Sequence, residues 1–392
     1  MTAVLFLLFS FFPSCGKHYL CHEQMKDKSK KADTALNVQK GIEQPSQVNP
    51  ALTDSLEQFR KEKPDAQSYI NGILKGDRTM LSRAITLIES SRSDDRETAR
   101  QVINGCLPSS GKSIRLGITG VPGAGKSTFI ESFGLTLIEK GHRVAVLAID
   151  PSSQRSKGSI LGDKTRMEKL SASEMAFIRP SASSGTLGGV ARATREAVIL
   201  CEAAGNDLVI IETVGVGQSE TAVSQIVDFF LLLMIAGAGD ELQGIKRGIM
   251  EMADLLVINK ADGDNLKKVE LAQREFQNAL HLYPPLSNGW TPKVLTASAL
   301  YGKGLEEIWQ TISAYVSLTK NNGFFNEHRK QQSLKILHDS LIQHLSDHLF
   351  QQKEIRKLMD GMENQILSGR LSPYEASRIV LEKYYALLKT GL

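Results

Sequence analysis

The stretch Gly120-Val-Pro-Gly-Ala-Gly-Lys-Ser127 decides the fold of this chain, because it matches the pattern G-x-x-x-x-G-K-[ST]. It comes directly after an apolar run and directly before a helical pattern, which is the strand–loop–helix setting that the motif requires. Glycines let the backbone fold around a phosphate with its N–H groups pointing inward, and the following helix presents its positive end to the anion. We therefore predict a phosphate-binding loop with nucleotide contacts from Gly120, Val121, Pro122, Gly123, Ala124, Gly125, Lys126, Ser127 and Thr128.

Short apolar runs alternate with helical patterns on both sides of this loop. Most of the runs are apolar at every position, as in strands that are covered on both faces of a parallel sheet. The sequence thus predicts an α/β fold, a P-loop NTPase with a mostly parallel sheet flanked by helices. The predicted strands are 115–119, 143–149, 175–178, 208–211, 229–235, 255–258 and 293–296, and the clearest helices between them are 127–139, 191–203 and 266–280.

The tetrapeptide Asn259-Lys260-Ala261-Asp262 follows the predicted strand 255–258 and so lies at the carboxyl edge of the sheet, where ligands of open α/β folds bind. A carboxylate there can accept two N–H bonds from guanine, and adenine offers no such pair of donors. The next strand ends in Ser298-Ala299-Leu300. We therefore predict that GTP is preferred over ATP and that Asn259, Lys260, Asp262, Ser298, Ala299 and Leu300 contact the nucleotide.

Acidic residues at the ends of neighbouring strands predict a magnesium site. Glu212 ends the run 208–211 and is followed by Gly215, whose backbone can approach the γ-phosphate. Asp150 ends the second strand, and Asp163 lies in the segment after it. Most small GTPases have Asp where this chain has Glu212. The predicted Mg²⁺ ligands are Ser127, Asp150, Asp163 and Glu212.

These motifs together resemble those of the MeaB-type GTPases, formerly described as ArgK transport kinases. The matching segments are 120–128, 150–163, 179–189, 212–220, 236–246 and 259–262. The resemblance implies a homodimer with helical extensions at both ends, GTP/GDP and Mg²⁺ as cofactors, and slow GTP hydrolysis. It also implies a partner, an adenosylcobalamin-dependent methylmalonyl-CoA mutase, whose cofactor loading and protection this hydrolysis would gate.

Slow basal turnover has a physical argument of its own. Phosphoryl transfer is accelerated by a positioned glutamine or by an arginine finger, and here Gly215 is followed by Val216 instead of Gln. Gln218 stands three residues beyond Gly215, and Lys246 lies in the segment that resembles the partner-sensing loop of the family. We predict Lys126, Gln218 and Lys246 as the catalytic residues.

The chain divides into four predicted regions. Residues 1–50 are a disordered leader or a mis-assigned start, and 51–110 are a helical N-terminal subdomain. The P-loop GTPase domain spans 111–320, and 321–392 form a helical dimerisation extension. The apolar run 3–12 leaves three interpretations open: an export or lipoprotein signal, a transit peptide, or an upstream extension of a true start at Met25.

Composition limits the other classes of function. Among 392 residues, 47 Lys and Arg stand against 43 Asp and Glu, so the net charge of +4 does not indicate nucleic-acid binding. The four cysteines form no C-x-x-C pair, which favours a reducing, cytoplasmic setting, and no stable membrane insertion is expected. Two alternatives remain: a metal-insertion GTPase, or an ATP-dependent kinase of a periplasmic amino-acid transport system.

Overall fold

Seven parallel strands form one sheet in the order β3-β2-β4-β1-β5-β6-β7. A computed structural model describes residues 63–90, 92–150, 167–182, 187–213, 223–237, 247–284 and 286–390. Every neighbouring pair of strands is parallel, with Leu116 opposite Ile210 on one side of β1 and opposite Phe229 on the other. The strands are β1 (Ile114–Gly120), β2 (Val144–Asp150), β3 (Ala176–Ala182), β4 (Leu208–Thr213), β5 (Phe229–Ile235), β6 (Leu255–Asn259) and β7 (Lys293–Thr296).

Twelve helices of the described residues surround and extend this sheet. Three precede β1: α1 (Ala66–Leu74), α2 (Arg78–Ile88) and α3 (Ser93–Cys106). Six lie within or just after the sheet region: α4 (Lys126–Glu139), α5 (Glu168–Ser171), α6 (Leu187–Ala203), α7 (Arg247–Met252), α8 (Leu266–Leu280) and α9 (Leu305–Asn321). The last three are α10 (Phe324–Gln351), α11 (Lys353–Leu367) and α12 (Pro373–Thr390).

The sheet lies at the centre of the main hydrophobic core, because its strands are apolar on both faces. All residues of β4 and β6 are buried, as are six of the seven in β5. Side chains such as Phe129 and Phe133 of α4 pack from the helical layers, and their rings stack with centroids 5.5 Å apart. The predicted fold class and all seven predicted strands are confirmed; their ends differ by two residues at most, except that β3 runs four residues beyond the predicted end at 178.

Side-chain caps and an ion pair hold the N-terminal helices in place. Asp65 and Asp77 accept hydrogen bonds from backbone N–H groups in the first turns of α1 and α2, which satisfies donors that a helix start leaves free. Glu89, just after α2, pairs with Arg179 of β3 at 2.6 Å. These helices pack against one another and against α6, and the Glu89–Arg179 pair joins them to β3.

A buried ion pair and its neighbouring hydrogen bonds connect the C-terminal helices to the amino ends of β1 and β5. Arg329 of α10 binds Asp228 in bidentate fashion at 2.6 and 2.7 Å and also donates to the carbonyls of Gly111 and Ser113. Glu202 of α6 pairs with Arg115 beside this contact. Further along, α10, α11 and α12 share a small core of their own around Ile355, Val380 and Tyr384. No helix in the described part of the chain has the length and apolarity needed to cross a bilayer.

Candidate nucleotide-binding site

The phosphate loop connects β1 to α4, and backbone sterics explain its glycines. Gly125, the residue before α4, has φ +82°, a left-handed conformation that residues with a Cβ rarely adopt. A Cβ on Gly120 would lie 2.2 Å from the carbonyl oxygen of Leu233 in β5, so only glycine permits this approach of the two strands. The loop therefore lies at the carboxyl edge of the sheet, at the start of a helix whose N-terminus favours anions.

Lys126 folds back over the loop from which it emerges. Its Nζ lies 2.9 Å from the carbonyl oxygen of Gly120 and 3.4 Å from that of Val121. The ammonium group therefore lies against the backbone at the start of the phosphate loop.

A hydroxyl and a carboxylate meet beside this loop. Ser127 Oγ, in the first turn of α4, lies 3.4 Å from Glu212 Oε1 at the end of β4, and Glu212 is only 5% exposed. The neighbouring Thr213 donates from its hydroxyl to that of Thr119 at 2.7 Å, and both residues are fully buried. Since hard oxygen donors are the ligands that Mg²⁺ prefers, Ser127 and Glu212 fit a site that the phosphates of a nucleotide would complete.

Asn259 connects the phosphate loop to residues 297–300, which we name the base-recognition loop after the role that the sequence predicts for 298–300. Its Nδ2 donates to the carbonyl of Ala124 at 2.8 Å, and its Oδ1 accepts from the N–H of Ala299 at 3.1 Å. Because the side chain is buried and both of its polar atoms are used, it fixes the distance between the two loops.

Asp262 is oriented by the same two segments. Ser298 donates a hydrogen bond from its hydroxyl to the Asp262 carboxylate, and the N–H of Ala261 donates to the carbonyl of Ala297. Lys260 has φ +60°, the one left-handed residue other than glycine among those the structure describes, and Asn265 donates to its carbonyl at 3.0 Å. Leu300 is 72% exposed, so its apolar surface is open beside these groups.

A search against protein-family models matches residues 81–354, well over half of the chain, to the family described as "Methylmalonyl Co-A mutase-associated GTPase MeaB". This chain belongs to the MeaB family. The family resemblance identified in the sequence is confirmed. As a member of this family, the chain is a GTPase that binds guanine nucleotides and hydrolyses GTP.

Individual relatives agree with that membership. A Mycobacterium tuberculosis protein named as a probable GTPase is 51% identical over 78% of this chain and 91% of its own length. A mouse protein named "Methylmalonic aciduria type A homolog, mitochondrial" is 44% identical over 86% of this chain and 84% of its own. The crystal structure of a "LAO/AO transport system kinase" superposes with a TM-score of 0.66 at 39% identity, covering 82% of this chain and 97% of that one.

Several predicted site residues of this MeaB-family chain lie outside the described part of the structure. They are Asp163, a predicted metal ligand, and Gln218 and Lys246, predicted to be catalytic. Asp150 ends β2, but its side chain also lies outside the described part. The structure thus brings together Lys126, Ser127 and Glu212 on the phosphate side and the two segments 259–262 and 298–300 on the base side.

Sequence reasoning missed two hydroxyl contacts in this site. One is the buried Thr119–Thr213 pair, and the other is the bond from Ser132 Oγ of α4 to the carbonyl of Ala299 at 2.7 Å. Thr119 and Thr213 are 94 residues apart, and Ser132 and Ala299 are 167 residues apart. No local spacing rule singles out such hydroxyls, because their partners are set by the register of the sheet and by helix packing.

Proposed function

We propose that the chain uses GTP binding and hydrolysis to gate cofactor loading, and to protect the loaded enzyme, in an adenosylcobalamin-dependent methylmalonyl-CoA mutase. The observation that carries this proposal is the match of residues 81–354 to a family described as associated with that mutase. The name of the mouse relative, which refers to methylmalonic aciduria, points to the same metabolism. Two free, buried thiols, Cys106 and Cys201, suit a reducing compartment, so we propose a cytoplasmic location.

The nucleotide would span the two connected loops. On the phosphate side, residues 120–128 would surround the β- and γ-phosphates with backbone N–H groups, and Lys126 would neutralise the charge that develops during transfer. On the base side, Asp262 would accept two N–H bonds from guanine, with Asn259, Lys260 and residues 298–300 around the base. The hydrogen bond from Ser298 supports this role, because it orients the Asp262 carboxylate before the base arrives.

Mg²⁺ would be held by Ser127 and Glu212, together with Asp150 and Asp163. The 3.4 Å approach of Ser127 Oγ to Glu212 Oε1 supports this assignment, since a hydroxyl and a carboxylate are suitable protein ligands for Mg²⁺. When bound, the ion would neutralise phosphate charge. A metal-insertion function would favour a cluster of metal-binding side chains. Among the described residues no group of three or more His, Cys, Asp or Glu could hold a metal ion.

Turnover would be slow in the isolated protein and faster with the mutase. Lys126 is a cation that the described residues place at the phosphate loop. An arginine finger, which adds a further positive charge at the transition state, accelerates phosphoryl transfer by ~10³ to 10⁵. We propose that the mutase positions Lys246 and Gln218 to supply that charge and to orient the attacking water.

The test is steady-state GTP hydrolysis by the full chain, with and without an adenosylcobalamin mutase from the same source. Stimulation of GTP turnover by the mutase, with ATP hydrolysed far more slowly, supports the proposal. Unchanged GTP turnover at saturating mutase contradicts it. A preference for ATP, with phosphate transferred to a transport protein, would favour a kinase function like the one for which the structurally similar "LAO/AO transport system kinase" is named.

The role of Lys246 has its own matched pair of variants. Lys246→Ala should remove most of the stimulation by mutase, measured as the ratio of GTP turnover with and without the mutase. The control is Lys267→Ala, which removes an exposed lysine from the second position of α8 and should keep the wild-type ratio. Equal stimulation of both variants would contradict the role given to Lys246.

The base site can be tested by exchanging the groups that bind the nucleotide. Asp262→Asn places an N–H donor where the carboxylate accepted one, so GTP should lose affinity and xanthosine triphosphate, which carries a carbonyl at that edge, should gain it. The measurement is competition for binding between the two nucleotides. If the variant and the wild type rank them in the same order, Asp262 does not contact the base.

We propose a homodimer formed through residues 321–392. Apolar side chains of α10 are exposed along one stripe that includes Leu334, Leu337, Leu341 and Leu345, and such a stripe on an otherwise polar helix needs a partner surface. Leu341→Asp, at a residue 51% exposed, should shift the protein to monomer in sedimentation equilibrium. Leu271→Asp, at a residue 60% exposed on α8, is the control and should leave the mass unchanged.

A further inference from the structure

The backbone of Ala299 is held at both of its polar groups, by Asn259 at one and by a residue of the helix that follows the phosphate loop at the other. Its N–H donates to Asn259 Oδ1 at 3.1 Å, and Asn259 Nδ2 donates in turn to the carbonyl of Ala124 at 2.8 Å. Its carbonyl accepts from Ser132 Oγ at 2.7 Å. Ser132 lies in α4, the helix that begins at Lys126.

These contacts close a ring that joins the two halves of the site. The ring runs from Ala124 through the start of α4 to Ser132, then to Ala299, and through Asn259 back to Ala124. The Asn259 arm holds the peptide group between Ser298 and Ala299, whose carbonyl also accepts from the N–H groups of Tyr301 and Lys303. The Ser132 arm holds the next peptide group, between Ala299 and Leu300, and joins it to the helix that follows the phosphate loop.

Geometry points to a functional consequence at the neighbouring residue. Ser298, directly before Ala299, donates to the Asp262 carboxylate, and Leu300, directly after it, shares the peptide group that Ser132 holds. Ser132 itself is half-buried and lies two helical turns from the start of α4. Its effect on the nucleotide would therefore be transmitted through residues 298–300.

We propose that Ser132 is a positioning residue for guanine recognition, which holds the base-recognition loop in register with the phosphate loop. The inference rests on the nucleotide site assigned under the proposed function, and it does not depend on the identity of the client enzyme. It deepens that assignment by naming a residue that touches neither phosphate nor base and yet determines how firmly the base is held.

Ser132→Ala is the informative variant, and the chain offers a matched control on the same helix. Thr136 lies one turn later and is also half-buried. Its hydroxyl donates within the same helix, to the carbonyl of Ser132 at 3.0 Å. Thr136→Ala therefore removes a hydroxyl from α4 without touching the base-recognition loop. Ser132→Thr keeps a hydroxyl at the position and serves as the rescue.

The measurement is the dissociation rate of fluorescently labelled GDP, together with the affinity for inorganic pyrophosphate, which engages only the phosphate side. Loss of one hydrogen bond to the loop predicts GDP dissociation about fivefold faster in Ser132→Ala. Pyrophosphate affinity and kcat at saturating GTP should stay at wild-type values, while KM for GTP rises. Thr136→Ala and Ser132→Thr should release GDP at nearly the wild-type rate.

Two results would overturn the inference. One is GDP release from Ser132→Ala at the wild-type rate, in a protein that still prefers GDP to ADP. The other is an equal loss of pyrophosphate affinity, which would mean that the substitution disturbs α4 as a whole. A wild-type protein with no preference for GDP over ADP would instead overturn the site assignment, so the two failures are distinguishable.

Discussion

Replacement of Arg329 by alanine should be among the most destabilising single changes in this protein. The guanidinium donates four hydrogen bonds, two to the Asp228 carboxylate and one each to the carbonyls of Gly111 and Ser113, at 2.6 to 2.7 Å. The side chain of Asp228 is 1% exposed and that of Arg329 14%. Burial lowers the pKa of Arg329, but the hydrogen bonds and charge of Asp228 and the charge of Glu202 together raise it by more, so the net shift favours the charged form.

The size of the loss follows from what the truncation leaves behind. Four isolated bonds to a charged donor would sum to more than ~6 kcal/mol, but water and the movement of α10 would replace part of that. Removing one member of a buried ion pair costs ~3 to 5 kcal/mol, because the other charge stays buried. We expect about 4 kcal/mol, which is a large share of a typical stability of roughly 5 to 15 kcal/mol.

Urea unfolding followed by circular dichroism measures this loss, and Arg378→Ala is the control. Arg378 of α12 also binds two carboxylates, Glu375 and Glu382, but its side chain is 57% exposed. Solvent screens such a pair, so its removal should leave the unfolding curve almost unchanged. In a double-mutant cycle, Asp228→Ala combined with Arg329→Ala should lose much less than the sum of the single variants.

Equal losses for Arg329→Ala and Arg378→Ala would refute this reasoning, as would additive losses in the cycle. GDP affinity provides a further check. The Arg329 cluster lies at the amino ends of β1 and β5, opposite the phosphate loop at their carboxyl ends. Nucleotide binding by the folded Arg329→Ala protein should therefore remain near the wild-type level.

Two further predictions concern buried groups of the sheet. Burial raises the pKa of Asp254 to about 7, against the opposing hydrogen bond from the Phe230 N–H. The unfolded chain loses this proton near pH 4 and the folded chain keeps it to about pH 7, so the free energy of unfolding should fall across that range. Asp254→Asn should recover up to roughly 4 kcal/mol of that free energy at pH 8. Urea unfolding at several pH values measures both effects. Thr213→Val leaves the buried Thr119 hydroxyl without its donor and should lower the free energy of unfolding by ~1 to 3 kcal/mol. The double variant, Thr119→Val with Thr213→Val, should lose less stability than Thr213→Val alone, because no buried hydroxyl is left unpaired. A larger loss in the double variant would contradict this.

The sheet and the chemistry of the nucleotide site could be predicted from the amino-acid sequence, because both depend on local spacing. A loop that wraps a phosphate needs glycines at fixed intervals, and the next helix must start at Lys126, so the motif also places β1 and α4. Strands covered on both faces appear as continuous apolar runs, which is why all seven could be recognised. The prediction that Asp262 contacts guanine rests likewise on its chemical type and its place after β6.

The way these parts are held together became apparent from the three-dimensional arrangement alone. The contacts of Asn259 with Ala124, of Ser132 with Ala299 and of Arg329 with Asp228 join residues 101 to 167 positions apart. A serine in a helix or an arginine in an amphipathic segment has the same local pattern whether it faces water or a buried carbonyl. The strand order and the packing of the helices choose between those cases, because they determine which distant backbone groups come within hydrogen-bond distance.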